Sequence, residues 1–180
     1  MKIHNTPIKD LIVLEPLVHG DDRGWFMESF KAQFFADNNL NYNFIQDNQA
    51  KSCRGVVRGL HYQKGEWAQA KLVRVLSGEI IDVAVDLRTG SATFGRHYAV
   101  KLSAENRLQL LIPRGFAHGY SVLSETAEVL YKCDNVYAPK HEGGILWCDP
   151  ALGIDWGISA DEAIISEKDK LNPPLVSASL

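Results

Sequence analysis

Between residues 46 and about 137 the chain consists of short apolar runs that alternate with polar positions and are cut by Gly and Pro. In residues 80–87 the odd positions are all aliphatic while the even ones include Asp82 and Asp86, a period of two that predicts a half-buried strand. Residues 71–76, 107–112 and 127–132 read the same way, separated by Ser77-Gly78, Thr89-Gly90-Ser91, Pro113-Arg114-Gly115 and Ser124-Glu125. Many short strands with such punctuation predict a sandwich or barrel. Two segments carry helical signals. Residues 29–38 place Phe30 and Phe34 on one face, and Ser159-Ala160-Asp161-Glu162 fits a capping box. No internal repeat, low-complexity tract or charged linker interrupts the chain, so one domain over residues 1–180 is expected, with residues 170–180 as a loosely held tail.

Composition narrows the classes of function. A chain of 180 residues, 46% hydrophobic, can furnish the core of one domain. Its net charge of −3 provides no field that would draw in nucleic acid or an anionic membrane, so neither is expected as a partner and any anion site must rest on a local cluster of cations. Residues 1–10 lack an apolar run followed by a cleavage site, and no later stretch is long enough to span a bilayer, which makes a cytoplasmic protein the expectation. Cys53, Cys133 and Cys148 form an odd set without a Cys-x-x-Cys pair. They read as buried or half-buried free thiols rather than a disulfide framework or zinc site.

Residues 46–63 stand apart, because amides, two arginines and a histidine occupy a β-rich segment where a core strand would carry aliphatic residues. Buried polar groups need partners, so such a run is expected to line a wet or ligand-filled face. The run resembles the signature of the dTDP-4-dehydrorhamnose 3,5-epimerase family. The resemblance continues through Asp22-Arg23-Gly24-Trp25-Phe26-Met27-Glu28, Lys71-Leu72-Val73-Arg74-Val75, Ile112-Pro113-Arg114-Gly115-Phe116-Ala117-His118-Gly119-Tyr120, Tyr131-Lys132, Trp147-Cys148-Asp149-Pro150 and Ser166-Glu167-Lys168-Asp169, in the family's order along nearly the whole chain. It implies a mainly β fold, a double-stranded β-helix or cupin-type jelly roll with a few short helices, assembled as a homodimer. It also implies a dTDP-4-keto-6-deoxy sugar as substrate and epimerisation at C3 and C5, without cofactor or metal.

Inverting a carbon beside a ketone requires a base to remove the α proton, a cation or donor to stabilise the enolate oxygen, and an acid to return a proton to the opposite face. A redox cofactor is not needed for this, in keeping with the lack of a Gly-x-Gly-x-x-Gly or P-loop motif. His61 suits the base, since imidazole exchanges protons near neutral pH. By resemblance Asp169 orients it, Tyr131 is the acid and Lys71 stabilises the enolate. The resemblance also makes Arg23, Glu28, Gln46, Asp47, Asn48, Arg58, Lys71, His118, Glu142 and Lys168 contacts of the sugar nucleotide, and Tyr137 the residue stacked on thymine. Taken singly, most of these have an ordinary structural role open to them, such as an Arg23 ion pair with Asp21 or Asp22, or a turn at Gln46 and Asn48. Their co-occurrence favours the site. His118 is expected to touch substrate without acting as base, because no partner for it is evident.

Strict alternation sets Arg58 and His61, three residues apart, on opposite faces. Gly59 offers a remedy, because glycine in a strand often marks a bulge; otherwise Arg58 must reach the site from an edge. Trp25 and Phe26 are expected to divide between buried packing and covering the nucleotide. One departure from the family is Gly157, where proline commonly follows the tryptophan.

Two rivals differ in class. A metal-dependent cupin wants a His-x-His pair with further ligands, whereas Tyr62 and Gln63 follow His61, and His97, His118 and His141 are isolated. A sugar-nucleotide-binding β-module without activity accounts for the arginines and aromatics but leaves His61, Lys71, Tyr131 and Asp169 without a joint role. Within the epimerases, relatives act at C3 only, C5 only or both, and by resemblance Tyr131 favours both.

Overall fold

A computed structural model describes all residues 1–180. Thirteen strands carry the fold: β1 (Lys2–Asn5), β2 (Ile12–Glu15), β3 (Val18–Asp21), β4 (Gly24–Met27), β5 (Gln46–Cys53), β6 (Val57–Gln63), β7 (Lys71–Ser77), β8 (Glu79–Asp86), β9 (His97–Ser103), β10 (Gln109–Ile112), β11 (Phe116–Val122), β12 (Thr126–Cys133) and β13 (Glu142–Gly144). Two short α-helices accompany them, α1 (Ala32–Asp37) and α2 (Glu167–Lys170). One sheet runs β1-β2-β10-β7-β12-β5, the other β13-β6-β11-β8-β9, and β3 with β4 forms a separate hairpin. The two large sheets close over one another as a cupin-type jelly roll. Alternation gives each strand an inner and an outer side.

The inner faces meet in a cluster that includes Val73 and Val75 of β7, Ile80 and Ala84 of β8, Phe116 and Tyr120 of β11, and Ala127 and Val129 of β12. Outside the five-stranded sheet, Leu60, Val83, Val85 and Ala117 pack under the C-terminal segment with Leu152 and Trp156. Outside the six-stranded sheet, Leu14, Leu72 and Leu111 pack against Phe35 of α1. Both sheets are thus covered on both sides. β8 shows the consequence: it is buried on both faces rather than half-buried, and its carboxylates Asp82 and Asp86 lie on the inner, even-numbered face without solvent exposure. Asp86 is accommodated by hydrogen bonds from Arg88, Ser91 and Thr93.

Several expectations are corrected. β1 to β4 precede residue 46 and lie outside the region whose patterning predicts strands. The helix expected over residues 29–38 spans only Ala32–Asp37; Phe30 lies outside it and still packs on Phe35, with ring centroids 5.1 Å apart. The capping-box bonds between Ser159 and Glu162 form, but only a turn follows, because Ile164 is drawn into pairing with Val56 and Gly55. The helix lies further on, where Ser166 caps α2 by accepting from the Asp169 amide. The C-terminal residues are tied down rather than loose: Leu146 N donates to Pro173 O, Leu175 N to Asp149, and Tyr62 Oη to Ser179 O. Of the three thiols only Cys133 is buried. Trp25 and Phe26 are both exposed, so neither is buried packing. Gly157 occupies a left-handed turn at φ +67°, a conformation closed to proline, so its freedom is a requirement of this turn.

β6 carries one extra residue against β11. His61 pairs with His118 and Arg58 with Tyr120, so three steps along β6 match two along β11. Gly59 absorbs the difference at φ +120°, and a Cβ there would lie 2.5 Å from the Gly119 Cα. Arg58 and His61 therefore share the inner face while Val57 and Leu60 face outward.

Gly59→Ala should lower stability by about 2 kcal/mol or more, given the backbone region and the close contact. Urea denaturation checks this, and an unchanged midpoint would count against it. A second expectation concerns acid. Burial alone would raise the Asp86 carboxyl, but the bonds from Arg88, Thr93 and Ser91 outweigh it and hold the group far below its ordinary 3.8. A depressed folded-state pKa contributes stability that is present above the unfolded value and lost as pH falls through the folded one. Asp86→Asn should therefore cost on the order of 2–3 kcal/mol at pH 7, the difference from the parent shrinking as pH falls below about 4. Denaturation at both pH values measures it.

Candidate functional site

The inner face of the jelly roll is apolar at one end and polar at the other. At the polar end a cleft opens in two lobes of about 340 and 460 Å³, within the usual range for small-molecule sites. His61, Lys71 and Tyr131 line both lobes and so mark where they meet. These three come from β6, β7 and β12 respectively.

His61 is partly exposed to the cleft, and its Nε2 lies 2.6 Å from the Oδ1 of Asp169. Asp169 is buried at the start of α2, reached by the Gly59 amide at 3.4 Å as well. Burial pushes its carboxyl up, but the bond and charge of His61, with the Gly59 and Ser166 groups, outweigh this and hold it below its ordinary value. The residue sits at a helix end, yet it is not a solvated charge.

Lys71 begins β7 with its stem on the inner face, and no carboxylate lies within ion-pair distance of its ammonium. Its Nζ lies 5.6 Å from the centre of the Tyr131 ring. Burial lowers its pKa, opposed by the neighbouring Cys133, Asp82 and Glu142. Burial likewise raises the Tyr131 phenol, which keeps it protonated and able to donate. The cleft thus holds an imidazole with an orienting carboxylate, a half-buried lysine without an ion-pair partner and a neutral phenol.

His118, directly across from His61 on β11, has a partner after all: its Nε2 lies 2.7 Å from the Oδ1 of the fully buried Asp82. The expectation that it lacks one is corrected. The reason is parity, since β8 presents Asp82 on the inner face beside β11. In the sequence Asp82 is only a position in an alternating strand; its role emerges once two strands from different parts of the chain are paired.

Around one mouth of the cleft, Glu142 accepts from both the Tyr137 hydroxyl, at 2.9 Å, and Lys168. The bond to Lys168 raises the pKa of that lysine, while the Glu142 hydrogen bond raises Tyr137. Gln46 and Asn48 occupy inner positions of β5, not a turn, with Gln46 Nε2 donating to Asn48 Oδ1 at 3.0 Å. Arg58 donates from Nε to Ser52 Oγ at 3.0 Å, leaving its remaining guanidinium donors available to the cleft. Gln63, at the end of the 46–63 run, and Gln69 also line the cleft; sequence reasoning named neither as a contact, and Gln69 lies outside the run.

Three expected contacts are not brought together with these. Asp47 falls on the outer side of β5, where alternation sends it, and pairs with Lys132. Arg23 is almost fully exposed in the turn between β3 and β4 and pairs with Asp21. Glu28 follows β4 and pairs with Lys31. Neither Arg23 nor Glu28 lines the cleft of its own chain. No group of three or more His, Cys, Asp or Glu side chains is arranged to hold a metal ion.

Comparison with known proteins bears on the family and the fold. The family model for dTDP-4-dehydrorhamnose 3,5-epimerase matches residues 5–177. The Salmonella typhimurium dTDP-4-dehydrorhamnose 3,5-epimerase is 51% identical over 181 residues, covering 100% of this chain and 98% of the relative. Among solved structures, the dTDP-4-dehydrorhamnose 3,5-epimerase of Elizabethkingia anophelis superposes with a TM-score of 0.94 at 52% identity, over 98% of this chain and 97% of the other. The dTDP-6-deoxy-D-glucose-3,5-epimerase of Legionella pneumophila, solved in complex with dTDP-4-keto-L-rhamnose, superposes with a TM-score of 0.93 at 46% identity, over 98% and 93%. With its jelly roll, its cleft and a match of this extent, the chain belongs to the dTDP-4-dehydrorhamnose 3,5-epimerase family.

Proposed function

We infer that this protein epimerises C3 and C5 of dTDP-4-dehydro-6-deoxy-D-glucose to give dTDP-4-dehydro-β-L-rhamnose. The observation that carries the reading is the His61–Asp169 pair opening into the same cleft as Lys71 and Tyr131. The ketone at C4 acidifies the hydrogens on C3 and C5. His61 removes one as general base, and Asp169 holds the ring and balances the imidazolium that forms. The electron pair left on carbon moves to O4, where the unpaired ammonium of Lys71 stabilises the enolate. Tyr131 then gives its phenolic proton to the opposite face of the carbon, the enolate collapses to the ketone, and the configuration is inverted. Solvent restores the protonation of both residues.

Sugar-nucleotide recognition falls to the groups around the cleft. Arg58 provides forked donors for a phosphate and Lys168 a point charge. Gln46 and Asn48 offer amides, His118 a ring nitrogen, and Tyr137 a surface for the base with Glu142 behind it. Arg23 and Glu28 belong to an exposed hairpin whose Trp25 and Phe26 are 54% and 67% exposed. In the homodimer we propose, that hairpin reaches the cleft of the second copy, which gives both residues a ligand and the aromatics a cover. One domain over residues 1–180 accounts for all of this. Free thiols, two of them exposed, suit a reducing cytoplasm.

His61→Ala should abolish solvent-deuterium incorporation at both C3 and C5 while dTDP binding stays within a few-fold of the parent; nuclear magnetic resonance in heavy water reads the first and titration the second. Undiminished exchange would remove His61 as base, and an absence of exchange in the parent would leave a binding module. Tyr131→Phe should still lose the α proton yet invert the carbon much more slowly. Equal inversion by variant and parent would exclude the phenol as the acid. Sedimentation at working concentration should give twice the 20.1 kDa chain mass, and a monomer would refute the shared hairpin.

A further inference from the structure

His118 stands among the recognition groups beside the proposed catalytic ones, and its partner is Asp82. The pair is almost wholly closed to solvent: Asp82 has no exposure and His118 only 6%. His118 Nε2 lies 2.7 Å from Asp82 Oδ1, which leaves Nδ1 as the ring nitrogen free to meet a ligand in the cleft. The ring is held on two further sides, by Tyr120 at 6.4 Å and by Tyr131 edge-on at 6.5 Å between centroids. Asp82 Oδ2 has no hydrogen-bond partner. A buried carboxylate with one bare oxygen is costly to keep, and its one direct bond goes to a side chain lining the cleft.

Resting on the epimerase reading of the site, we propose that Asp82 is a positioning residue that fixes His118 as the neutral tautomer protonated on Nε2, so that Nδ1 accepts a hydrogen bond from a hydroxyl of the bound hexose. A carboxylate accepts only, so the nitrogen facing it must carry the proton. The remaining question is whether the other nitrogen is protonated too. The charged and titratable groups facing the pair are Lys71 from β7, His61 from β6, Tyr131 from β12 and Tyr120 from β11 itself. Burial lowers the His118 pKa, Asp82 opposes this, and Lys71 and His61 add to the lowering. The ring stays neutral, with a lone pair at Nδ1. The acceptor is complementary to Lys71, which supplies a donor for the ketone oxygen: one group recognises the carbonyl, the other a hydroxyl beside it. A ketone oxygen offered to Nδ1 would meet a lone pair and be repelled, so the same device disfavours a hexose turned the wrong way in the cleft.

Histidine side-chain nitrogen-15 resonances of the whole protein, assigned with His118→Asn, report the tautomer directly. The parent should show the Nε2–H form, whereas Asp82→Asn, whose amide can donate to Nε2, should move the proton to Nδ1. The same change should lower kcat/KM for deuterium exchange on the order of tenfold, the loss of one hydrogen bond, while Asp82→Glu recovers part of it. In a His118→Asn background Asp82→Asn should cost little more, since its effect passes through the ring. A parent ring protonated on Nδ1 or on both nitrogens would overturn the proposal, as would fully additive losses. If Asp82→Asn does not fold, the resonances of the parent still decide. A parent that exchanges no carbon-bound hydrogen refutes the epimerase reading, and a parent that exchanges but carries the other tautomer refutes only this inference.

Discussion

One surplus residue in β6 governs the site. A regular strand would turn either Arg58 or His61 out toward the C-terminal segment, putting a charge among Leu60, Val83 and Trp156. The dislocation at Gly59 lets Val57 and Leu60 keep their apolar contacts while both polar side chains point inward. It also brings the Gly59 amide within reach of Asp169, the carboxylate that meets His61. The backbone irregularity, the imidazole and its carboxylate are therefore one unit, and the glycine at its centre is dictated by a positive φ and by the nearness of Gly119.

The second constraint is the double covering of the sheets. Because the outer faces are sealed by the N-terminal segment with α1 and by the C-terminal segment, the jelly roll can leave one end of its interior polar without losing its core. The C-terminal segment does more than cover. Held by Asp149 at Leu175 and by Tyr62 at Ser179, it fixes α2, and α2 carries Lys168 and Asp169 into the cleft. A segment with the composition of a tail thus braces the helix that carries two cleft residues.

How much of this was legible in the sequence follows from the range of the interactions involved. Strands β7, β8, β10 and β12 and the turns that punctuate them could be read, because period-two patterning and Gly punctuation are local. So could the irregularity at Gly59, once the resemblance had put Arg58 and His61 in one site and parity had set them on opposite faces. The burial of β8 on both faces could not, because whether an aspartate faces water or a histidine depends on which strand lies beside it. Asp82 and its bond to His118 are the case in point. The sequence at residues 29–38 promised a longer helix than formed, since tertiary packing of Phe30 against Phe35 and Phe44 is satisfied without helical backbone at Phe30. Asp47 illustrates the opposite error: a motif match carried it into the site beside Gln46 and Asn48, and simple alternation removes it. Arg23 and Glu28 lie beyond what one chain can resolve, because in the proposed homodimer their ligand sits in the cleft of another copy.

The energetics of Lys71 separate catalysis from mere binding. A module that only held a sugar nucleotide would gain from pairing this lysine, since a half-buried ammonium without a carboxylate is unfavourable in the resting protein and adds nothing to recognition of a neutral ketone that a simple donor could not supply. The cleft nevertheless keeps Asp82 on His118 and Glu142 on Lys168, and leaves Lys71 alone beside Tyr131. Such an arrangement becomes favourable when a negative charge develops beside the lysine, as the proposed mechanism has it do on O4 once His61 takes the proton. Binding that strengthens at that moment and not before is what lowers a barrier. The lone lysine thus fits the enolate of the proposed mechanism better than it fits the substrate, and in that mechanism the neutral phenol beside it supplies the proton that ends the enolate's existence.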